Sequence, residues 1–488
     1  MIEIDESYVD ASAPNAAAIK NGRGLVLKGK LVALHKSADD TLLFGECSGS
    51  GKSNYQCSCD FVRPDQPTHR CSCPSRQFPC KHCLGLMYAF VQGKTFTVAD
   101  VPDDLAGKRE KLQERAVKKT ASKNTPKKVN KSALSKKIKA QLDGLDLLEK
   151  LTHDLVRSGM GNMNAKVASQ IETQAKQLGN AYLPGAQAAL RRYTKLFSTR
   201  EGRFDADLSA TQRESVYSEA LDQLTRLHAL IKQGRAYLNA RLEDPELKPE
   251  TGTAIAAWLG HAWQLAELRE AGRMQENVEL AQLAFNTYDD VARAEFVDTG
   301  IWMNLATGDI QQTQTFRPYK AAKFIKSDDS FFQIAQVPEL FAYPGDRNPR
   351  IRWEGMTPRP TKKKDFTAIR KHGSSDFASL IKEIKNQLKA PLADKCPVAA
   401  LNFTRIGAIG KGDDALLVAE DANGERLVLT DTRQFDEPDC CHLLYLLPPK
   451  LLKNQTLIAR FHHDLDSRTL RIKPLSIVTS DEIVRLTY

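Results

Sequence analysis

Seven of the ten cysteines, Cys47, Cys57, Cys59, Cys71, Cys73, Cys80 and Cys83, crowd into one short stretch, while Cys396, Cys440 and Cys441 lie far downstream. In a reducing compartment such crowding reads as metal binding or redox chemistry before it reads as cross-linking. One subset has ligand spacing: Cys71-Ser72-Cys73, then six residues, then Cys80-Lys81-His82. Three thiolates and one imidazole complete a tetrahedral shell for a single zinc ion. A full protein shell leaves no position for water, so the ion is expected to be structural rather than catalytic. Residues two apart on a straight strand sit nearly ~7 Å apart, so Cys71 and Cys73 require a bend, which Pro74 can end. Two residues apart on a helix point away from each other, so Cys80 and His82 are expected to straddle a helix start, with Pro79 fixing the approach. Three thiolates against Zn2+ leave a formal charge of about −1, which Arg70, Arg76 and Lys81 are placed to offset.

Other groupings compete for the same chemistry. Cys57 and Cys59 form a second Cys-x-Cys, yet they alternate with Tyr55 and Phe61, as the buried face of a strand would. As ligands they would need Cys47, Cys83 or His69 to complete a site. Cys83 directly follows His82 and reads as a small apolar residue or as a replacement for it in an all-thiolate shell. Gly49-Ser50-Gly51-Lys52-Ser53 resembles the end of a phosphate-binding loop, but Glu46 stands where the first glycine belongs and a strand pattern follows where a helix is needed. Cys440-Cys441-His442 and His462-His463-Asp464 have no known ligand spacing and read as core or surface positions. No nucleophile elbow or catalytic carboxylate pair stands out, so the chain is not expected to be an enzyme. An active site hidden in residues 294–395 is the residual alternative.

Cys71-Ser72-Cys73-Pro74 followed by Phe78-Pro79-Cys80-Lys81-His82 resembles the SWIM-type zinc finger, whose pattern is Cys-x-Cys, a variable gap, then Cys-x-His. The lead-in, Gly45-Glu46-Cys47 to Gly51 and the strand from Tyr55 to Phe61, resembles bacterial proteins of this group, and the likeness extends over roughly residues 12 to 95. The resemblance implies a zinc-stabilised fold with Cys71, Cys73, Cys80 and His82 as metal ligands and a role in binding DNA or protein partners. Bacterial relatives are often encoded near MoxR-type AAA ATPases and von Willebrand A-type proteins, which implies an adaptor role beside such a system.

The elements that would position these residues follow from periodicity. Period-two stretches at 28–35, 41–46 and 54–62 predict a three-stranded meander, with a short helix at 15–20 ended by Asn21-Gly22 and another from His82 to Val91 stopped by Gly93. Helical spacing then recurs at Ile138, Leu142, Leu145, Leu148, Leu151 and Leu155, at 163–178, at 215–233 and at 252–270, the last with Trp258 and Trp263. Such stripes read as packed core. Beyond 294 the pattern is mixed, Lys362-Lys363-Lys364 reads as a connector, and one helix is expected at 376–388. Ala422-Asn423-Gly424-Glu425 and Asp464-Leu465-Asp466-Ser467 each mark a hairpin in the tail.

The expected organisation is therefore a multidomain α+β chain. It comprises a β-meander/helix SWIM zinc-finger module at 1–107, a basic disordered linker at 108–134 and a helical domain at 135–293. A mixed α/β connector region at 294–395 and an all-β domain at 396–488, a small barrel or sandwich, follow. Its 488 residues, 41% hydrophobic and 27% charged, exclude collagen, a coiled-coil rod, a disulfide scaffold and wholesale disorder. No run approaches the ~18 apolar residues of a spanning helix, and the acidic start Met1-Ile2-Glu3-Ile4-Asp5-Glu6 is unlike a secretory signal, so a cytoplasmic protein without membrane contact is expected. The net charge of +10 is local: residues 108–139 hold 13 Lys and Arg against Glu110 and Glu114, or +11, leaving −1 for the rest. That run, with Lys118, Lys119, Lys127 and Lys128 as phosphate contacts, suits a sequence-blind polyanion tether, or simply a solvated linker. It lacks aromatic residues, so base stacking cannot contribute there. Two readings remain: a zinc-binding adaptor that presents its finger to a protein partner, nucleic acid or both, and a DNA-binding protein that grips one duplex with finger and linker together.

Overall fold

A computed structural model describes residues 2, 4–49, 53–62, 67–75, 79–103, 105–109, 131–199, 204–205, 208–322, 325, 327–410, 415–432 and 437–487. The chain is mixed α+β with several sheets and divides into two compact units, Met1–Ala121 and Ser122–Tyr488. No helix among the described residues is long and apolar enough to cross a membrane.

In the first unit, helices α1 (Glu6–Ser12) and α2 (Ala16–Leu27) precede antiparallel strands β1 (Leu31–Lys36), β2 (Leu42–Cys47), β3 (Tyr55–Asp60) and β4 (Thr68–Cys71); helix α3 (Lys81–Val91) and the short β5 (Thr97–Val98) follow. The predicted three-stranded meander is the centre of a five-stranded sheet ordered β4-β3-β2-β1-β5, with β5 parallel to β1. Contrary to the expected stop, α2 runs straight through Asn21-Gly22. The helices α2 and α3 pack so closely that a Cβ on Gly22 would lie 2.9 Å from the Cβ of Leu84, so this glycine serves helix contact rather than termination. Helix α3 ends as expected, with Gly93 at φ +73°. Its face carries Leu84, Met87 and Tyr88 into the core, where they meet Cys47, Cys57, Cys59 and Cys83. The Tyr88 hydroxyl donates to Asp10, which also receives Arg23 at 2.9 Å, tying α1 and α2 to α3.

Residues 110–130, most of the expected linker and all four lysines Lys118, Lys119, Lys127 and Lys128, lie outside the described residues. Both flanks differ from a linker. Arg109 is nine-tenths buried and pairs with Asp60 at 3.3 Å and Asp39 at 3.5 Å, while residues 131–134 open a 28-residue helix, Lys131–Ser158.

In the second unit that helix packs with Ala165–Asn180, Pro184–Lys195 and Ala210–Glu243 around Leu145, Leu148, Ile171, Leu190 and Leu227. The helix starts are capped as short polar residues before apolar periods should be: Asn164 accepts from Val167 N–H at 3.0 Å, and Ser209 with Gln212 forms a capping box. Two corrections apply here. The single helix expected at 252–270 is two short ones, Ile255–Trp258 and Leu265–Glu270, separated at Gly260 with φ +72°. The helical region expected to reach 293 ends at Glu270; Gly272, at φ +66°, turns the chain into a strand. That strand, β6 (Met274–Asp290), is buried on both faces from Leu280 through Asn286, a pattern that periodicity alone cannot separate from helix.

Residues 294–395 are mixed α/β as expected, but most of them build a sheet rather than a connector. With β6, strands β7 (Glu295–Asn304), β8 (Ile310–Pro318), β9 (Ile334–Ala342), β10 (Ile351–Arg352) and β11 (Thr357–Arg359) make a six-stranded sheet ordered β10-β9-β6-β7-β8, β11 also pairing with β9. Lys362, read as part of a connector, is the N-cap of helix Lys363–Lys371. A third sheet holds β12 (Val398–Ile409), β13 (Leu416–Glu420), β14 (Arg426–Leu429), β15 (Lys453–Asp464), β16 (Thr469–Val478) and β17 (Ile483–Arg485). Both predicted hairpins, β13–β14 and β15–β16, are present, and β14 pairs with β16 so that the strand order returns on itself. The core of this sheet takes in Phe377, Leu380 and Ile384 of helix Phe377–Leu388, so it reaches upstream of the expected boundary at 396.

Candidate metal centre

The four residues with ligand spacing converge. Cys71 closes β4 opposite Cys57 of β3. The ladder continues one residue further, with Ser72 N–H donating to Gln56 at 2.9 Å and Ser72 Oγ accepting from Gln56 N–H at 3.0 Å. The chain then bends through 72–74, as two thiols separated by one residue require. Cys80 is the N-cap of α3, in extended geometry at φ −74° and ψ 168°, and its side chain makes no capping hydrogen bond. His82 therefore sits in the first turn, so the pair does straddle the helix start.

The donor atoms of Cys71, Cys73, Cys80 and His82 all lie within 4.8 Å of one another. His82 Nδ1 is 3.6 Å from Cys71 Sγ and 3.8 Å from Cys80 Sγ. For metal–sulfur distances of ~2.3 Å and a metal–nitrogen distance of ~2.0 Å, a tetrahedron has edges of roughly 3.5 to 3.8 Å. The cluster could thus hold a metal ion with little rearrangement. Cys73, Cys80 and His82 are buried and Cys71 is half-buried. The His82 ring is held against Tyr55, centroids 4.8 Å apart, which keeps its Nδ1 edge towards the sulfurs.

The electrostatics favour a thiolate at the helix end. The neighbouring thiols, Cys71 foremost, pull the Cys80 thiol far below its ordinary value despite burial, and Cys71 is pushed up in return. A helix N-terminus adds to this preference for negative charge. The expected charge partners are placed differently: Arg70 is 3.7 Å from Asp60, and Arg76 lies outside the described residues. Lys81 remains next to the cluster as the first residue of α3.

Three further cysteines of the cluster are accounted for as packing. Cys57 is within donor distance of Gly45 O at 3.5 Å, Cys59 of Cys83 O at 3.6 Å, and Cys83 of Arg70 O at 3.3 Å. Burial drives Cys57 well up and Cys59 up, and a hydrogen bond with Cys59 does the same for Cys83, so each is a neutral thiol on a carbonyl. Cys83 comes within 3.8 Å of Cys80 Sγ but points its own sulfur to the β4 backbone. Among the described residues no other group of three or more His, Cys, Asp and Glu side chains gathers its donor atoms closely enough to share an ion, which covers Cys440-Cys441-His442 and His462-His463-Asp464 as well. After Ser53 the chain enters β3 and not a helix, so the glycine-rich stretch lacks the helix N-terminus a phosphate loop needs. Sequence reasoning missed Asp60 and Arg109, a buried ion pair behind β3 and β4, because the basic composition around Arg109 masked its single structural role. No protein-family model and no curated protein matches this chain, so the centre is read from its own donors, spacing and burial.

Proposed function

We propose that the first unit is a SWIM-type zinc-finger module in which Cys71, Cys73, Cys80 and His82 hold one structural Zn2+, and that the chain is an adaptor rather than an enzyme. A bound ion would supply cross-linking of the end of β4, the 72–74 bend and the start of α3, with no open position for hydrolytic chemistry. The observation that carries the reading is the approach of four soft donors to tetrahedral spacing inside a core otherwise made of neutral thiols and apolar residues. The adaptor would present this module to a protein partner, nucleic acid or both. Its resemblance to bacterial SWIM proteins makes a MoxR-type AAA ATPase or a von Willebrand A-type protein the partner class to test, in the cytoplasm. The self-returning third sheet, as a small barrel, and the helical region would add docking surfaces.

Elemental analysis of the purified chain tests the metal: about one zinc per chain in the wild type and in Cys57→Ala, and less than half in Cys71→Ser. Absence of stoichiometric zinc in the wild type overturns the reading. Affinity purification comparing wild type with Cys80→Ser then asks whether the finger selects a protein. The second reading, a sequence-nonspecific DNA-binding protein, is favoured by the concentration of +11 charge in residues 108–139. Deleting residues 110–130, which spares buried Arg109 and the helix that opens at Lys131, would abolish duplex binding and its salt slope under that reading, and leave partner capture unchanged under the first.

A further inference from the structure

The sheet formed by β6 to β11 buries one face against the third sheet through Ala281, Ile301 and Met303. Its other face rolls until edge strand β8 meets the chain before β10, by the Gln312↔Arg350 bridge. A cavity of about 620 Å3 opens along this seam, a size suited to a small ligand. Its wall concentrates aromatic side chains: Trp302 stacks edge-on to Trp353 at 5.3 Å and against Phe331 at 5.7 Å, and Phe316 at its rim is 36% exposed. None of these rings was part of any predicted site.

The same cavity carries a cation with no direct ion-pair contact. The Arg350 guanidinium lies over the rings of Tyr343 at 3.9 Å and Phe316 at 5.5 Å. Among the described residues no carboxylate lies within ion-pairing distance of it. Asp328 and Asp329 also line the cavity, each accepting at 2.6 Å, from Thr315 Oγ1 and the Ser330 N–H, and neither pairs with Arg350; the other lining arginine, Arg352, is paired with Glu354 at 2.6 Å. A cation fixed on π faces without a direct ion pair, beside the exposed ring of Phe316 and the part-exposed rings of Phe331 and Trp353 that cover buried Trp302, is complementary to a planar ring that carries a negative group. A neutral sugar would use the aromatic wall but leave Arg350 unpaired, and an aliphatic anion would do the reverse.

We propose that this cavity binds a nucleotide unit, with the base against the aromatic wall and the phosphate on Arg350. The unit comes either as a free mononucleotide or as one residue of a single strand. The site is independent of the metal centre and of the basic run at 108–139, which has no aromatic residue.

The test uses the full chain and follows tryptophan fluorescence during titration with uridine monophosphate, uridine, a ten-residue oligouridylate and maltohexaose. Uridine monophosphate is expected to quench with a saturable curve. Arg350→Gln and Phe316→Ala should each weaken it by about tenfold, within the range set by loss of one stacked base or one phosphate contact, at unchanged melting temperature. A variant with Lys118, Lys119, Lys127 and Lys128 all changed to Gln should bind the mononucleotide as the wild type does. In that variant, oligouridylate binding tighter than the mononucleotide identifies a strand as the source, and equal binding identifies the free nucleotide. Equal affinity for uridine and its monophosphate, preference for maltohexaose, no quenching by any nucleotide, or retention of wild-type affinity in both Arg350→Gln and Phe316→Ala would overturn the proposal.

Discussion

The module at residues 1–109 and the four-helix region at 131–243 both fold apolar faces inward, but they fill them with different material. The helical core is mainly Leu, Ile and Ala with Tyr193, Phe197 and Met163 and no cysteine among its buried members, Leu145, Leu148, Leu190 and Leu227 being fully buried. The module's core includes Cys47, Cys57, Cys59, Cys73, Cys80 and Cys83 among its buried members. A thiol fills little volume, so much of this core gains less from burial than leucine would provide at ~25 cal/mol per Å2 of apolar surface. Four donors brought together without an ion would also leave a thiolate at the start of α3 with only other thiols and an imidazole for company. The difference teaches where each region's stability can reside: side-chain packing in one and, under the proposed metal reading, ligand coordination added to modest packing in the other.

The strongest way to break this comparison is to remove the metal. Chelation, or Cys80→Ser, is expected to unfold the module, because metal binding to such a shell contributes ~10 kcal/mol or more that the unfolded chain cannot recover. Limited proteolysis should then degrade residues 1–109 while a fragment beginning near 131 persists. Loss of both regions together, or of neither, would show that the contrast is false.

The converse experiment strikes the helical core. Leu190→Ala should destabilise the second unit by about 2–5 kcal/mol through lost transfer energy and the cavity left behind. Calorimetry should show one transition shifted down, with zinc stoichiometry and the module's transition unmoved.

The smallest expected effect sharpens the comparison through acid. Burial opposes ionisation of Asp365, but the Arg359 guanidinium at 2.8 Å and the Lys362 N–H at 2.8 Å outweigh it and hold the carboxyl below its ordinary value. A depressed folded value means that the contribution is fully present above the unfolded carboxylate pKa near ~4 and is lost as pH falls through the folded value. Stability of the second unit measured by denaturant should therefore hold from pH 7 to 5 and decline below about 4. Asp365→Asn should cost about 1.5–3 kcal/mol at pH 7 and flatten that decline. The module should weaken earlier, since its ligand thiols take up protons as the pH drops.

Several features were legible residue by residue. Cys71, Cys73, Cys80 and His82 could be picked out because ligand spacing is a local property, and Pro79 with Cys80 marked the start of α3 because caps are local too. The β13–β14 and β15–β16 hairpins followed from turn residues between alternating strands. The misreadings share one cause. Gly22, Gly260 and the strand beginning at Met274 each depended on what packs against them: α3 for the first, Pro184 for the second, β7 and β9 for the third.

The aromatic cavity was invisible for the same reason. Trp302, Phe316, Phe331 and Trp353 are spread along the chain and meet only where the sheet rolls back on itself. By itself the order of residues determined the candidate donor set, the helical stripes, the hairpin turns and the confinement of positive charge to one segment. These are encoded by neighbours a few positions apart. Tertiary structure alone decided which cysteines became neutral packing thiols, where the helices stopped, and that an arginine stands over two rings with no ion pair among the described residues, because each of these is set by burial and by partners distant in sequence.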